Sequence, residues 1–98
     1  MQRKEVCPEI LAAAKSYAAR FSEKTPVAHF VTFWREDGRT LASIDYNESR
    51  AQSWAYQSSG ECFAILPIAG TSGATIAHVK PLTAAQWRAR LMGRRLDD

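Results

Sequence analysis

The sequence predicts a small α+β domain of three helices and about four strands, in the order αββαββα. Three features predict it: an amphipathic stripe near the N-terminus, an Asp-Gly turn between two β-rich segments, and a capping box ahead of a basic C-terminal segment. The chain of 98 residues is long enough for one hydrophobic core and too short for two. We therefore expect residues 1–98 to form a single domain around one small antiparallel or mixed sheet.

The first helix is predicted at residues 8–22. Pro8 favours the first turn of a helix, because its missing N–H would have no intrahelical partner there. Apolar residues then recur at steps of three and four, which is typical of a helix with one buried face. The members of this stripe are Ile10, Leu11, Ala14, Tyr17, Ala18 and Phe21. Thr25-Pro26 follows, and the residue before a proline is disfavoured in helices, so we expect the chain to continue in an extended conformation.

A β-hairpin is predicted from residues 27–34 and 40–46, which are rich in β-branched and aromatic residues and flank Asp37-Gly38. A two-residue loop at Asp37-Gly38 fixes the register. On one side the facing pairs are Arg35–Thr40, Phe33–Ala42, Val31–Ile44 and His29–Tyr46. On the other side they are Trp34–Leu41, Thr32–Ser43 and Phe30–Asp45. We expect the first, more apolar side to face the core and the second, mixed side to be partly exposed or covered by a loop.

Residues 47–60 are ambiguous between helix and strand. Asn47 is a favourable N-cap, the apolar residues at positions 51, 54 and 55 have helical spacing, and Gly60 is a typical helix stop. We therefore predict a helix. The competing interpretation is a strand through Trp54 and Tyr56, which the short apolar pattern leaves open.

The remainder of the chain predicts two strands and a helix. Residues 62–68 are an apolar run typical of a buried strand, and Pro67 indicates that its far end lies at a sheet edge. A turn then leads into a short strand at residues 75–79. A Thr-x-x-Gln capping box opens a helix that we predict over residues 83–96.

The composition is typical of a soluble globular protein, with 46% hydrophobic and 23% charged residues. The longest uninterrupted apolar run, residues 62–66, is far shorter than the ~20 residues that cross a bilayer, so we expect no membrane span. Acidic residues and a proline interrupt the N-terminal stretch where a signal peptide needs an apolar segment. Cys7 and Cys62 form neither a CxxC pair nor a dense framework, which favours a reducing, cytoplasmic compartment and leaves a single bridge between them open.

The net charge of +3 is concentrated at one end of the chain. The first 77 residues hold eight basic and eight acidic residues, whereas residues 78–96 hold five basic residues and no acidic one. These five are Lys80, Arg88, Arg90, Arg94 and Arg95. The predicted C-terminal helix is therefore the electropositive element of the protein, and it suits an acidic partner.

No constellation of catalytic or metal-binding residues stands out. A nucleophilic cysteine needs a nearby histidine and a third group that orients it, and Cys62, His78 and Asp45 are the available candidates. Cys62 opens an apolar strand, however, where a buried structural cysteine is the commoner role. The two histidines and two cysteines are scattered without the spacing of metal ligands, so we expect neither a metal nor another cofactor.

These observations predict a non-enzymatic protein that binds or inhibits a larger protein, or protein complex, with an acidic surface. Small inhibitors of host complexes carried by phages and plasmids have this general profile, which is an analogy of type and not of sequence. The predicted contact residues are the helix arginines and two aromatic residues of the mixed sheet side. They are Arg88, Arg90, Arg94, Arg95, Trp34 and Phe30.

Three other interpretations stay open. The same arginines, with Trp87 available for stacking, are compatible with a nucleic-acid-binding module. Cys62 is compatible with a small thiol enzyme. In the third interpretation the arginines are only a solvated helix face, while Trp87, Leu91 and Met92 dock on the sheet.

Overall fold

A computed structural model describes residues 6–20, 27–71 and 73–96, of which residues 20 and 93–96 are described without their side chains. The elements are α1 (Pro8–Arg20), β1 (His29–Glu36), β2 (Arg39–Asp45), α2 (Glu48–Ser58), β3 (Glu61–Pro67), β4 (Ala74–His78) and α3 (Ala84–Leu96). The strands form one antiparallel sheet in the order β2-β1-β3-β4. The predicted α+β class and the order αββαββα are confirmed.

The helix α1 begins at Pro8, as predicted, and its apolar stripe faces the sheet. Ile10 and Ala14 are buried in this contact. Phe21, the last member of the predicted stripe, and the predicted extended segment at Thr25-Pro26 lie outside the described residues.

The hairpin between β1 and β2 has the predicted loop and register. Asp37 and Gly38 have φ angles of 54° and 76°, the left-handed conformation that a two-residue hairpin loop favours. The Cα pairs of the two strands are the predicted ones along the whole ladder. His29 and Tyr46, predicted as the next pair, lie just beyond it with their ring centroids 5.8 Å apart.

The face of the sheet under α1 holds the larger hydrophobic core. Its buried members are Ile10, Ala14, Val31, Phe33, Phe63 and Ile65. On β1 the predicted core side is confirmed, since Val31 and Phe33 are buried. On β2 the prediction is wrong for Ile44, which is 51% exposed, because α1 packs mainly on β1 and β4 and leaves the edge strand uncovered.

The opposite face of the sheet is partly exposed at Leu41 and Ser43, as expected from the sequence, but the element that covers the rest of it is the helix α2 and not a loop. Thr32 is only 2% exposed on this face, and its Oγ1 donates a hydrogen bond to the Ala51 carbonyl at 3.2 Å. The side chains buried or packed under α2 are Ala51, Ala55, Cys62, Phe30 and Val79. The sheet order explains the cover: α2 connects β2 to β3, and these strands lie on either side of β1.

Residues 47–60 include the helix α2, so the competing strand interpretation is wrong. Asn47 Oδ1 accepts a hydrogen bond from the Arg50 N–H at 2.9 Å, which satisfies a free donor at the helix start. The left-handed residue that ends the helix is Ser59, with φ 58°, and not the predicted Gly60. Gly60 is needed for another reason, because a Cβ there would lie 2.3 Å from the Phe33 carbonyl oxygen.

The last three elements match their predictions to within one residue. β1 pairs with β3 only as far as His29–Ile65, so Pro67 lies where β3 has no neighbour on that side. The helix α3 follows the predicted capping box. Thr83 N–H donates to Gln86 Oε1 at 2.9 Å, and Gln86 N–H donates to Thr83 Oγ1 at 3.1 Å.

Gly60→Ala is expected to destabilise the protein by about 1–3 kcal/mol, because the new methyl group forces β3 away from the β1 backbone. The free energy of unfolding, measured by chemical denaturation, tests this expectation. Gly73→Ala is the matched control, since the nearest described atoms to a Cβ there are 3.9 Å away. Equal unfolding free energies for the two variants would contradict the close approach at Gly60.

Candidate functional site

The C-terminal helix α3 is held against α2. The rings of Trp87 and Tyr56 are stacked, with centroids 5.1 Å apart and planes 19° from parallel. One turn further along α3, Arg90 donates to the Ser49 carbonyl at 3.0 Å, to Ser53 Oγ at 3.1 Å and to Gln52 Oε1 at 3.2 Å. An aromatic stack and a guanidinium with several acceptors therefore join the two helices.

The four predicted arginines have different surroundings. Arg90 is half-buried and its donors bind α2, so much of its hydrogen-bonding capacity is used within the chain. Arg88 is exposed. Arg94 and Arg95 belong to the helical segment, and their side chains lie outside the described part of the chain.

The apolar residues of α3 do not dock on the sheet as one interpretation of the sequence required. Trp87 packs on Tyr56 of α2 instead. Leu91 is 38% exposed and Met92 is 59% exposed. Met92 lies four residues after Arg88, which places the two on the same helix face. The described part of α3 therefore presents apolar side chains next to an exposed cation.

The predicted aromatic contact residues lie elsewhere. Trp34 is half-buried and meets Trp54 edge-to-face, with ring centroids 5.5 Å apart. Phe30 is half-buried beneath α2. Trp54 and Tyr56 are two residues apart on α2 and therefore point to opposite sides of that helix. The structure thus separates the predicted aromatic residues from the predicted arginines.

A groove of about 400 Å³ lies between β2 and α2. The residues that line it are Thr32, Ser43, Asp45, Arg50, Ala51, Trp54 and Gln57. Arg50 donates two hydrogen bonds, both 3.1 Å long, to the two carboxylate oxygens of Asp45. The hydrogen bond from Arg50, followed by one from the Asn47 backbone, lowers the pKa of Asp45 below its usual value. The only charges among these lining residues therefore already neutralise each other.

The three candidates for thiol chemistry are not brought together. Cys62 pairs with Thr32 and points to the α2 face, whereas His78 pairs with Phe63 and points to the α1 face. On the α1 face, His78 Nε2 lies 2.8 Å from Glu61 Oε1. Burial raises the pKa of the Cys62 thiol to about 11, which disfavours the nucleophilic thiolate.

The cysteines and histidines serve separate structural contacts. Cys7 and Cys62 are free thiols in clusters on opposite faces of the sheet, so no bridge joins them. His29 is buried, with Nε2 2.8 Å from the Tyr17 hydroxyl and Nδ1 2.7 Å from the Val27 carbonyl. Across the described residues, no group of three or more His, Cys, Asp or Glu side chains could hold a metal ion.

Sequence reasoning missed two features of this surface: the tethering role of Arg90 and the exposure of Met92. The positions that Arg90 contacts, at 49, 52 and 53, do lie on one side of the predicted middle helix. This spacing indicates that another helix could pack on that side of α2, but it does not show which helix does so.

Three comparisons of this chain with known proteins found no match. No family model matches it, and neither a curated protein nor a solved structure does. A search of the described residues finds no helix long and apolar enough to cross a membrane.

In a Cys7→Ser variant, which retains Cys62 alone, thiol labelling at pH 8 is expected to be about a hundredfold slower in the folded protein than in denaturant. The reason is that the fold raises the thiol pKa from 9.0 to about 11. For the same reason Cys62 contributes stability that is fully present below pH 9 and is lost as the pH rises through about 11. Labelling that is equally fast in both states would contradict the burial of this thiol.

Proposed function

We propose that this chain is a non-enzymatic binding protein that acts through surface contacts on a larger protein partner. The observation that supports the proposal best is the state of α3. One side of the helix is tied to α2, while Leu91, Met92 and Arg88 face solvent. An exposed apolar strip on a helix that packs against the domain is a surface that helix-in-groove recognition uses.

The chemistry of the strip indicates what the partner must offer. Met is flexible and polarisable, so Met92 suits an apolar groove of irregular shape. Arg88, four residues earlier on the same face, suits a carboxylate at the rim of that groove. The proposed partner is therefore a protein with an apolar groove and an acidic rim.

The contacts between α3 and α2 favour partner binding energetically. A helix of 13 residues is marginal in water on its own. The Trp87–Tyr56 stack and the Arg90 hydrogen bonds oppose its fraying, so that less ordering entropy is lost when a partner binds. This refines the contact set expected from the sequence, because Arg90 becomes a residue that positions the helix, while Arg88 remains a candidate for direct contact.

Inhibition is the specific form of binding that we favour. The described residues hold no assembled thiol–histidine pair and no metal-binding cluster, so the proposal is based on the surface of α3. A small domain of this kind acts on a larger complex by covering part of its surface. The nucleic-acid interpretation rests on the same helix, and the experiment below separates the two.

Met92→Asp and Arg88→Glu are each expected to lower retention of the partner at least about tenfold, since each adds an unpaired charge to the interface. The measurement is quantitative capture from native extract on the immobilised chain, followed by identification and by affinity measurement with the purified partner. Ile68→Asp and Lys15→Glu are the matched controls, because they place the same changes on exposed residues away from α3.

Two outcomes of this experiment would overturn the proposal. If both α3 variants retain the partner as well as their controls do, α3 is not the contact surface. If the captured material is lost on nuclease treatment, and duplex or single-stranded oligonucleotides bind with affinity that falls steeply with salt, the ligand is nucleic acid.

A further inference from the structure

Among the strands of the described residues, β2 has one edge that no other strand pairs with. It is the outermost strand beside β1, and Ile44 and Tyr46 next to this edge are 51% and 61% exposed. β2 runs for seven residues, RTLASID, without proline and with charges only at its two ends. Long uncharged edges of this kind are usually protected in monomeric proteins, because they pair readily with another strand.

The hairpin fixes which backbone groups point outward. In a two-residue loop, the residues that flank the turn form a hydrogen-bonded pair, here Glu36 with Arg39. Hydrogen-bonded and non-hydrogen-bonded pairs then alternate along an antiparallel ladder. The N–H and C=O groups of Thr40, Ala42 and Ile44 therefore point away from β1 and are available to a further strand.

We propose that β2 pairs with β2 of a second copy of this chain, antiparallel about a two-fold axis at Ala42, so that the two sheets become continuous. In this register Ala42 faces the partner's Ala42, and Thr40 faces the partner's Ile44. All of these residues carry outward N–H and C=O groups, so each facing pair can form the two reciprocal hydrogen bonds of an antiparallel ladder.

Charge complementarity favours this register. Arg39 lies opposite the partner's Asp45, and by symmetry the contact occurs twice. The Asp45 carboxylate also binds Arg50 of its own chain, so Arg39 would join an existing ion pair as a second cation. Shifting the axis to Leu41 would instead place Asp45 opposite the partner's Asp37, where like charges repel. Shifting it to Ser43 would place Asp45 opposite the partner's Leu41, and both ion pairs would be lost. The arrangement of residues along β2 is therefore self-complementary in one register.

The side chains fit the same arrangement. Ile44 and the partner's Thr40 are both β-branched, a favourable cross-strand combination that would cover part of the exposed Ile44. The small Ala42 lets the two strands approach at the axis. The other edge of the sheet lacks these properties, because pairing of β4 about Ile76 would bring Ala74 opposite the partner's His78 without any ion pair.

Sedimentation of the purified chain over a range of concentrations tests the proposal. We expect a reversible dimer of twice the 10.9 kDa chain mass. Ala42→Pro removes an outward N–H that the monomer does not use, and proline is tolerated at such edge positions. It should therefore give a folded monomer. Ala74→Pro is the matched control on the edge of β4, and it should leave the dimer intact.

A charge reversal decides the question even if a proline variant fails to fold. Arg39→Glu, at the exposed end of the hairpin, should raise the dimer dissociation constant at least about tenfold, because two ion pairs become two repulsive pairs. Arg88→Glu, the same change on α3, should leave it unchanged. A chain that stays monomeric at millimolar concentration, or a dimer that responds equally to both reversals, would overturn the proposal.

This proposal and the proposed function rest on different residues. The dimer uses the edge of β2, whereas the partner contact uses the exposed strip of α3. Loss of partner binding in Met92→Asp without loss of the dimer, and the reverse result in Arg39→Glu, would show that the two surfaces act separately.

Discussion

The pairing of β1 with β3 is the contact on which the rest of the structure depends. It places Val31 beside Phe63 on one face and Thr32 beside Cys62 on the other, so the centre of the sheet is buried on both sides. Because β1 and β3 are separated in sequence by β2 and α2, the pairing requires α2 to cross the second face. The Gly60 position lets β3 approach the β1 backbone as the chain leaves that helix.

The position of α2 on the sheet also determines where α3 packs and which side chains stay exposed. With α2 fixed on one face, its outer side offers Tyr56 and the acceptors around Gln52 to α3, and Trp87 and Arg90 bind there. The remaining side of α3 presents Arg88 and Met92 to solvent, and Leu91, one turn after Trp87, is 38% exposed. The edge strand β2, which neither α1 nor α2 covers fully, is left with an exposed Ile44. Of the two surfaces that we assign to binding, the β2 edge is left exposed because the helices do not cover it, and the α3 strip is left exposed because only one side of α3 packs on α2.

Local features of this fold could be predicted from sequence, and long-range ones could not. The hairpin register follows from Asp37-Gly38 because a two-residue loop allows one pairing, and the start of α3 follows from its capping box. The sheet order has no local signature, so the cover over Thr32 was missed. Arg90 looked like a free cation because its partners, Ser49, Gln52 and Ser53, lie at least 37 residues away in the chain.

The central claim is that the Trp87–Tyr56 stack and the Arg90 hydrogen bonds hold α3 against α2, and native-state amide hydrogen exchange tests it most directly. We expect the amides of α3 to be protected, and Arg90→Ala to speed their exchange by about tenfold or more, since several charge-assisted hydrogen bonds are lost. The β1 and β3 amides should keep their protection, and Arg88→Ala should have no such effect. Exchange in α3 that is fast in the unaltered protein, or indifferent to Arg90→Ala, would contradict the account.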